Sequence, residues 1–206
     1  MRIYSYDTYE YPFAAIVSNH LGCHDLAALH NGVTYPLFSR EKDQSTAFHE
    51  RFYAIGDAFH EVYRRFIRVV IANIVGQALV YQRIPTFRVH LPGNVAVGEF
   101  HRDRDYFHSP QEINFWLPLT KAWDTNTVWV ESAEGKEDFR PVELKYGQFF
   151  MFDGANLKHG NKVNQTGVTR VSFDFRVVTF DKYQPNNRRT INTDKRFIIG
   201  EYFEKL

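Results

Sequence analysis

The sequence predicts a mainly β domain, built as a barrel or sandwich, with a long helix packed against its outer surface. Seven short apolar segments separated by turn residues follow one another between Thr86 and Phe180, as in β-sandwiches and barrels. Within several of these segments apolar and polar residues alternate, which is the period of a strand. Upstream, apolar residues between Ser45 and Val75 recur every three or four positions, which is the period of one helical face.

The bulk composition indicates one soluble domain of 206 residues, with an N-terminal helical and mixed decoration over residues 1–80 and a β core over residues 86–180. The net charge of +1 provides no overall field that would attract nucleic acid or anionic lipid. The single cysteine, Cys23, cannot form an intrachain disulfide, and no apolar run resembles a secretion signal or a membrane span. We therefore expect a cytoplasmic protein whose partner is a small-molecule substrate.

The N-terminal part is predicted to contain a short strand at Ala14–Val17, with the rest of residues 1–44 as loop. A helix is predicted from Ser45 to Val75, capped by Ser45 or Thr46 and ended by Gly76. Its aromatic stripe is interpreted as a packing face that covers the sheet. The stripe consists of Phe48, Phe52, Ile55, Phe59, Val62, Phe66 and Val69.

The predicted strands each have an apolar face and a polar, partly aromatic face. In the last of them Val171, Phe173, Phe175 and Val177 oppose a polar row that starts at Arg170. Tryptophans on the polar faces are poor surface residues, so we interpret these faces as the lining of a cavity. The predicted strands are Thr86–Leu91, Ala96–Asp103, Glu112–Leu119, Thr127–Ser132, Arg140–Leu144, Gln148–Phe152 and Val168–Phe180.

A metal site is predicted at His101, Asp103 and His159. His101 and Asp103 are two residues apart, so in a strand their side chains point the same way. His159 follows a predicted strand and precedes a glycine, and it is the candidate third ligand. Two histidines and one carboxylate on one face of an octahedron leave three adjacent positions free, which is the arrangement of non-haem iron(II) oxygenases.

Other residues that bind metals in proteins fit this site less well. Asp105 would share the strand face of His101 and is an alternative ligand, as is His108. A loop over about Arg104–Pro110 is predicted to close over a substrate. The spacing of an N-terminal cluster matches no standard zinc site; its members are His20, Cys23, His24 and His30.

An anion-binding pair is predicted eleven residues beyond His159, at Arg170 and Ser172. A guanidinium pairs with a carboxylate through two parallel hydrogen bonds, and a serine hydroxyl two positions along the same strand face can add a third. The polar segment Asn161–Gly167 is predicted to turn the chain back so that Arg170 lies deeper in the same cavity.

Together these motifs resemble those of the 2-oxoglutarate/Fe(II)-dependent oxygenases. The family pattern is His-x-Asp, a distal histidine, and an arginine about ten residues later that is often followed by x-Ser. It stands here as His101-Arg102-Asp103, His159 and Arg170-Val171-Ser172, within residues 86–180. A finer resemblance, to small oxygenase-like proteins encoded with streptomycin-type aminoglycoside biosynthesis genes, rests on three stretches: Asn114–Leu119, Thr125–Ser132 and Arg170–Arg176.

The resemblance implies a double-stranded β-helix, also called a jelly roll or cupin-like fold, with the metal at its mouth. It implies Fe(II), 2-oxoglutarate and O2 as cofactor and co-substrates, with succinate and CO2 as products. His101, Asp103 and His159 would be the metal ligands, and Arg170 and Ser172 would bind the distal carboxylate of 2-oxoglutarate. The halogenase branch has a small residue where Asp103 stands, so the carboxylate favours hydroxylation of a small polar, sugar-like substrate.

The remaining polar-face residues are assigned by their position on the predicted strands. Asn114 and Thr127 are candidates for hydrogen bonds to 2-oxoglutarate. The candidates for substrate binding are Arg88, Trp116, Trp129, Glu131 and Arg176. The tryptophans would wall the pocket or stack on a sugar ring, and the arginines would bind an anionic group.

Two other functions are compatible with parts of this pattern. A cupin-type metalloenzyme that does not use 2-oxoglutarate needs the three ligands, but it leaves Arg170 and Ser172 without a role. A non-catalytic carbohydrate-binding jelly roll would use Trp116 and Trp129, but it leaves the three ligands idle. The metal and its co-substrate therefore distinguish the three hypotheses.

Overall fold

The computed structural model describes residues 1–35, 37, 46–76, 78–191 and 193–206 and is mainly β, with antiparallel sheets. Short strands occupy both ends of the described chain, and the longest, β9, has ten residues. In chain order the strands are β1 Arg2–Ser5, β2 Leu79–Gln82, β3 Thr86–His90, β4 Ile113–Pro118, β5 Trp129–Val130, β6 Arg140–Pro141, β7 Gln148–Phe152, β8 His159–Gly160, β9 Arg170–Thr179, β10 Asn186–Arg189, β11 Arg196–Phe197 and β12 Phe203–Lys205.

The helices lie before the core strands. They are α1 Phe13–Leu21, α2 Ala47–Tyr53, α3 Asp57–Phe66 and α4 Ala72–Val75, and a π-helical stretch at Ile67–Ile71 joins the last two. Short 3-10 turns stand at Leu26–Ala28, Asp103–Tyr106 and Asp124–Asn126. No helix in the described ranges has both the length and the apolar character needed to span a bilayer.

The helix predicted as one segment over Ser45–Val75 is divided in two, so that prediction was wrong. Thr46 caps the first part through its side chain, and Gly76 ends the second in a left-handed conformation; Ser45 lies outside the described residues. The break is at Gly56, whose extended backbone (φ −77°, ψ −173°) starts α3. Ile55 and Phe59 remain buried on either side of it, so the apolar period continues across a break that it does not reveal.

Two predictions of strands were also wrong. Ala14–Val17 lies within α1, because Phe13, Val17 and Leu21 are spaced by four and form one buried helical face. Ala96–Asp103 is irregular except for a single bridge between His101 and His159 and for Asp103, which begins a 3-10 turn. The segment of residues 1–44 interpreted as loop also contains β1, which pairs with β7 at the edge of the sheet.

The main sheet has seven strands in the order β1-β7-β4-β9-β2-β12, and β3 also pairs with β9. Strand β9 is long enough to pair with β4 on one side and with β3 and then β2 on the other. A smaller sheet contains β6-β5-β8, and β10 pairs with β11. The main sheet therefore supplies most of the framework, and β8 in the smaller sheet supplies His159.

The helices cover the apolar face of the main sheet through a dense aromatic cluster. The Phe13 and Phe173 ring centroids are 5.1 Å apart, and those of Tyr63 and Phe175 are 5.4 Å apart. Burial of each such side chain contributes about 1.5–3 kcal/mol. The predicted alternation of β9 is confirmed, because its phenylalanines contact the helices while Arg176 on the other face contacts Asp103.

Candidate metal centre

The structure brings His101, Asp103 and His159 together. One ligand atom from each of these side chains lies within 4.8 Å of the others. The Nε2 atoms of His101 and His159 are 3.5 Å and 3.6 Å from Asp103 Oδ1. This is the only such group of metal-ligating side chains among the described residues.

The backbone sets the positions of the two histidines. His101 and His159 exchange two hydrogen bonds of 2.9 Å between their backbone N–H and C=O groups. The Nδ1 atom of each ring is 3.0 Å from a carbonyl two residues earlier, that of Glu99 or Leu157. Donation from Nδ1 to a carbonyl fixes the tautomer and leaves Nε2 as the free lone pair that binds a metal.

Asp103 reaches the same point from a 3-10 turn rather than from a strand. Its backbone N–H donates to the Gly154 carbonyl at 3.0 Å, and its carboxylate is 3% exposed. Burial alone would raise the pKa of Asp103, but Arg176 and the histidines offset it and hold that pKa well below its ordinary value. The group is therefore an anion at neutral pH, as a metal ligand must be.

The protonation state of His159 also suits a ligand. Burial lowers the pKa of His159 to about 4, although the Asp103 carboxylate acts in the opposite direction. A histidine with this pKa is neutral at pH 7, so no proton has to be displaced before it binds a metal. The imidazole nitrogens of the two histidines and the Asp103 carboxylate are ligand types that suit a divalent ion of the iron type.

Gly160 permits the close approach of the segment that contains Phe100 to His159. A Cβ atom at this position would lie 2.8 Å from Phe100 Cγ and 3.0 Å from its Cα. We expect Gly160→Ala to lower the free energy of unfolding by about 1–3 kcal/mol, because backbone has to move. The change also shifts the strand that bears His159, so metal affinity should fall.

Urea denaturation and metal titration measure the two effects of Gly160→Ala. Gly56→Ala is the control for an added Cβ, since nothing lies within 4 Å of a Cβ built there. It removes only the preference of the N-cap of α3 for glycine, about 1 kcal/mol or less, and metal affinity should stay at the wild-type value. Equal stability of Gly160→Ala and the wild type would contradict the argument from close packing.

A cavity of about 720 Å³ opens beside His101 and Asp103. Its wall has charged, hydroxyl and apolar side chains, and it includes the predicted substrate residues Arg88 and Arg176. The remaining lining residues are Tyr53, Gln82, Ile84, Pro85, Thr86, Val97, Gly98, Glu99, Tyr106, His108, Thr190, Ile191, Thr193, Lys195, Glu201 and Tyr202.

Much of this wall was missed by the sequence analysis. Thr190, Lys195, Glu201 and Tyr202 come from the C-terminal segment, where no motif or strong alternation marks a site. Glu201 and Tyr202 reach the cavity because they directly precede β12, which pairs with β2 at the edge of the main sheet. That pairing is a long-range contact which no local sequence signal reveals.

Both arginines of the cavity wall are held by acidic side chains. The Arg88 Nε lies 3.3 Å from Asp174 Oδ1. Arg176 donates from Nε to Asp103 Oδ2 and from Nη1 to Asp174 Oδ2, both at 2.8 Å. Asn114, predicted to contact 2-oxoglutarate, donates to the same Asp103 Oδ2 at 2.6 Å. Asn114 and Arg176 thus both contact the carboxylate of a candidate metal ligand.

Arg170 and Ser172 form a buried donor pair on the same strand face as Arg176. Arg170 donates from Nε to the Asn126 carbonyl at 2.9 Å and from Nη1 to Ser172 Oγ at 2.8 Å. None of the ion pairs among the described residues includes Arg170. Burial lowers the pKa of Arg170 to about 9, so its guanidinium remains cationic at pH 7. A buried cation without a paired carboxylate is suited to bind an anion.

Arg170 and Ser172 are buried and do not line this cavity, contrary to the prediction for Arg170. The remaining predicted site residues also lie away from its wall. Trp116 donates to Ser172 Oγ at 3.1 Å, so it supports the donor pair. The Thr127 hydroxyl donates to the Val142 carbonyl. Trp129 donates to the Asp124 carbonyl, and the Lys162 Nζ lies 3.4 Å from its ring centroid. Glu131 is buried and accepts hydrogen bonds from the backbone N–H groups of residues 137 and 158.

The alternative ligands are engaged elsewhere. Asp105 accepts from the backbone N–H of Arg102 at 3.1 Å. The His108 Nδ1 lies 2.7 Å from the buried Glu112 carboxylate. Near the N-terminus His20 contacts the Arg51 carbonyl, and His30 contacts the Thr169 hydroxyl, so these two histidines face different partners.

His90 makes the stability of the fold depend on pH. Burial, reinforced by the charge of Arg170, lowers the pKa of His90 from 6.5 to about 3. Between these values the unfolded chain binds the proton and the folded protein does not, so the free energy of unfolding falls as the pH drops through this range. We expect the metal-free protein to lose about 2–3 kcal/mol from His90 between pH 7 and pH 4.5.

Urea denaturation of metal-free protein at the two pH values measures this loss. His90→Gln should lack that contribution, whereas His24→Gln, at an exposed position, should keep the wild-type slope. The same pH dependence in His90→Gln and the wild type would contradict the assignment to His90.

Comparisons with known proteins agree with this architecture. No protein-family model matches the chain. The non-heme alpha ketoglutarate dependent carbocyclase SnoK from nogalamycin biosynthesis is similar in structure, with a TM-score of 0.58 at 12% identity over 98% of this chain and 88% of SnoK. CytC3, solved with Fe(II) and alpha-ketoglutarate, gives a TM-score of 0.51 at 15% identity over 87% of this chain and 72% of CytC3. At these identities the likeness shows a common fold.

A relative in sequence is the streptomycin biosynthesis protein StrG of Streptomyces griseus. It is 44% identical over 201 residues, which span 98% of this chain and 96% of StrG. Identity of this extent over nearly the full length of both chains shows common descent. The chain therefore belongs to the StrG family.

Proposed function

We propose that this protein is an Fe(II)- and 2-oxoglutarate-dependent oxygenase with a double-stranded β-helix core. The observation that supports this proposal most strongly is the convergence of His101, His159 and Asp103 from separate elements, with one ligand atom of each within 4.8 Å of the others. Each ligand is held by a further hydrogen bond, and together they leave part of the coordination sphere to a bidentate co-substrate and O2.

When bound, the metal with 2-oxoglutarate and O2 supplies the oxidising chemistry, and the co-substrate leaves as succinate and CO2. The protein residues hold and orient the reactants. Arg170 and Ser172 would receive the distal carboxylate of 2-oxoglutarate. Ser172 Oγ accepts from both Arg170 and Trp116, which leaves its own hydrogen free to be donated to that carboxylate.

We propose a small polar, sugar-like substrate that is hydroxylated. The cavity is large enough for such a molecule, and its wall offers hydroxyl, carboxylate and cationic groups for hydrogen bonding. The relative StrG acts in the biosynthesis of streptomycin, an aminoglycoside, which supports a sugar or cyclitol derivative. Asp103 fills the ligand position that a halide needs in halogenases of this type, which favours hydroxylation.

Anaerobic titration tests the cofactor part of the proposal. Fe(II) and then 2-oxoglutarate are added to the metal-free protein under anaerobic conditions, and we expect a weak visible charge-transfer band at one equivalent of each. Asp103→Asn serves as the matched variant and should not produce the band. A folded wild-type protein that binds Fe(II) without the band would favour a cupin-type enzyme that does not use 2-oxoglutarate, and one that binds no metal would favour a carbohydrate-binding jelly roll.

The reaction is tested by following O2 consumption and succinate formation with Fe(II) and 2-oxoglutarate present. Amino sugars and aminocyclitols are then added one at a time. A substrate should increase succinate formation and gain one oxygen atom, which mass spectrometry detects. If succinate formation is stimulated but the product has gained no oxygen atom, the reaction is another oxidation, such as desaturation or ring closure, and not a hydroxylation.

A further inference from the structure

The two oxygens of the Asp103 carboxylate have different surroundings. Oδ1 faces the Nε2 atoms of both histidines, at 3.5 Å and 3.6 Å. Oδ2 faces the opposite way and accepts two hydrogen bonds, from Arg176 Nε at 2.8 Å and from Asn114 Nδ2 at 2.6 Å. Two donors occupy both lone pairs of Oδ2, so only Oδ1 is available to a metal.

The two donors are themselves fixed in place. Asn114 and Arg176 are directly paired residues of β4 and β9, and their side chains leave the sheet on the same face. Arg176 is also held by Asp174 at 2.8 Å. A Cβ atom at Gly154 would lie 2.6 Å from the Asn114 amide carbon, so the backbone there packs directly against this amide. Neither donor can turn away from Asp103 without disturbing the sheet or this turn.

The number of Asp103 oxygens that can bind the metal determines how many of its coordination positions the protein fills. A carboxylate that binds through both oxygens would bring the protein ligands to four of six octahedral positions, and 2-oxoglutarate would fill the other two. A carboxylate that binds through one oxygen leaves three positions, enough for 2-oxoglutarate and O2 together. We propose that Arg176 and Asn114 are positioning residues that restrict Asp103 to one-oxygen ligation and so keep the third position open.

This inference rests on the metal site of the proposed function, and it gives Arg176 and Asn114 a role different from the substrate and co-substrate contacts expected from the sequence. Infrared difference spectra between Ni(II)-loaded and metal-free protein test it directly. One-oxygen ligation gives a wide separation between the two carboxylate stretching bands, and two-oxygen ligation gives a narrow one. Ni(II) is chosen because it prefers six ligands and does not react with O2.

We expect a wide separation in the wild type and a narrow one in Arg176→Met and in the double variant Arg176→Met/Asn114→Leu. Arg176→Lys keeps the charge and one donor, and it should stay near the wild type. The affinity of the Ni(II)-loaded protein for 2-oxoglutarate should fall about 10–100-fold in Arg176→Met, while Ni(II) itself stays bound. A purely structural role for Arg176 would instead weaken Ni(II) binding and leave the separation of the bands wide.

Tyr63→Phe is the matched control, since it removes a buried hydrogen bond to the Gln82 carbonyl and leaves Asp103 untouched. It should give the wild-type spectrum. A narrow separation in the wild type, or a wide one in the double variant, would overturn the inference while leaving the metal site intact. Should the double variant not fold, Arg176→Met decides alone, because the wild-type separation shows how Asp103 binds but not whether Arg176 and Asn114 restrict it. A wild type without any Ni(II)-dependent carboxylate change would instead contradict the metal site itself.

Discussion

Replacement of His159 by alanine is expected to abolish Fe(II) binding at micromolar metal concentrations, and with it all turnover that depends on 2-oxoglutarate. His159 supplies one of the three side-chain ligand atoms that lie within 4.8 Å of one another. Loss of an outer hydrogen-bond partner typically lowers metal affinity 10–100-fold, so loss of a ligand should lower it by more than about 100-fold. Because the pKa of His159 is lowered by burial to about 4, this imidazole is neutral and ready to bind at pH 7.

Isothermal titration with Fe(II) under anaerobic conditions measures the loss in His159→Ala. His60→Ala, a half-buried histidine on α3, is the matched control and should bind Fe(II) like the wild type. The fold should survive the change at residue 159, because the bridge between residues 101 and 159 consists of backbone hydrogen bonds. Retention of stoichiometric Fe(II) in a folded His159→Ala variant would refute the proposed ligand set.

Replacement of Arg170 by methionine is expected to weaken 2-oxoglutarate binding by about 100-fold or more and to change Fe(II) affinity little. A hydrogen bond to a charged group contributes about 1.5–3 kcal/mol, and a guanidinium forms two such bonds to one carboxylate. The side chain is buried, and its hydrogen-bond partners are the Asn126 carbonyl, Ser172 Oγ and, at 3.4 Å, His90 Nδ1. It remains cationic at pH 7 because burial lowers its pKa only to about 9.

The charge-transfer titration with 2-oxoglutarate measures this effect. Arg170→Lys keeps a charge but loses the two-pronged geometry, so its affinity should lie between those of the wild type and the methionine variant. Ser172→Ala removes one hydrogen bond and should cost about tenfold. Equal losses of Fe(II) and 2-oxoglutarate affinity in Arg170→Met, alongside a lower free energy of unfolding, would assign Arg170 a structural role instead.

For the candidate metal ligands, the sequence pattern predicted side chains that do converge, but the structural reason for the prediction was partly wrong. His101 and Asp103 were paired because side chains two apart in a strand point the same way. The structure brings them together differently: His101 makes a single bridge to His159, and Asp103 begins a 3-10 turn held by Gly154. The two-residue spacing allowed convergence in both geometries, so the error in secondary structure did not move the site.

In the helices, the prediction of the buried face was largely right, but the position of a break was missed. The apolar spacing identified most of the face that packs on the sheet, since Phe59 and Phe66 are buried. It was wrong at Val69, which is 47% exposed, because the π-helical stretch shifts the register and buries Ile67 and Ile71 instead. It could not locate the break at Gly56, since Phe52, Ile55 and Phe59 keep the same spacing on both sides of the turn. The period of the apolar residues shows which residues share a buried face. A turn of the chain that keeps those residues on the same face does not change the period, so the sequence does not reveal it.

The sequence by itself named the three candidate ligands by residue type and spacing, and it determined which side chains share a face of β9. The apolar row of β9 meets the helices, and the polar row runs from Arg170 to Arg176. These follow from the fixed periods of strands and helices, which are local properties of the backbone. Only the tertiary structure decided that Asn114 and Arg176 bind the second oxygen of Asp103 and that C-terminal residues such as Tyr202 wall the cavity. Those contacts join segments far apart in the chain, and they depend on strand pairing and packing that no local period encodes.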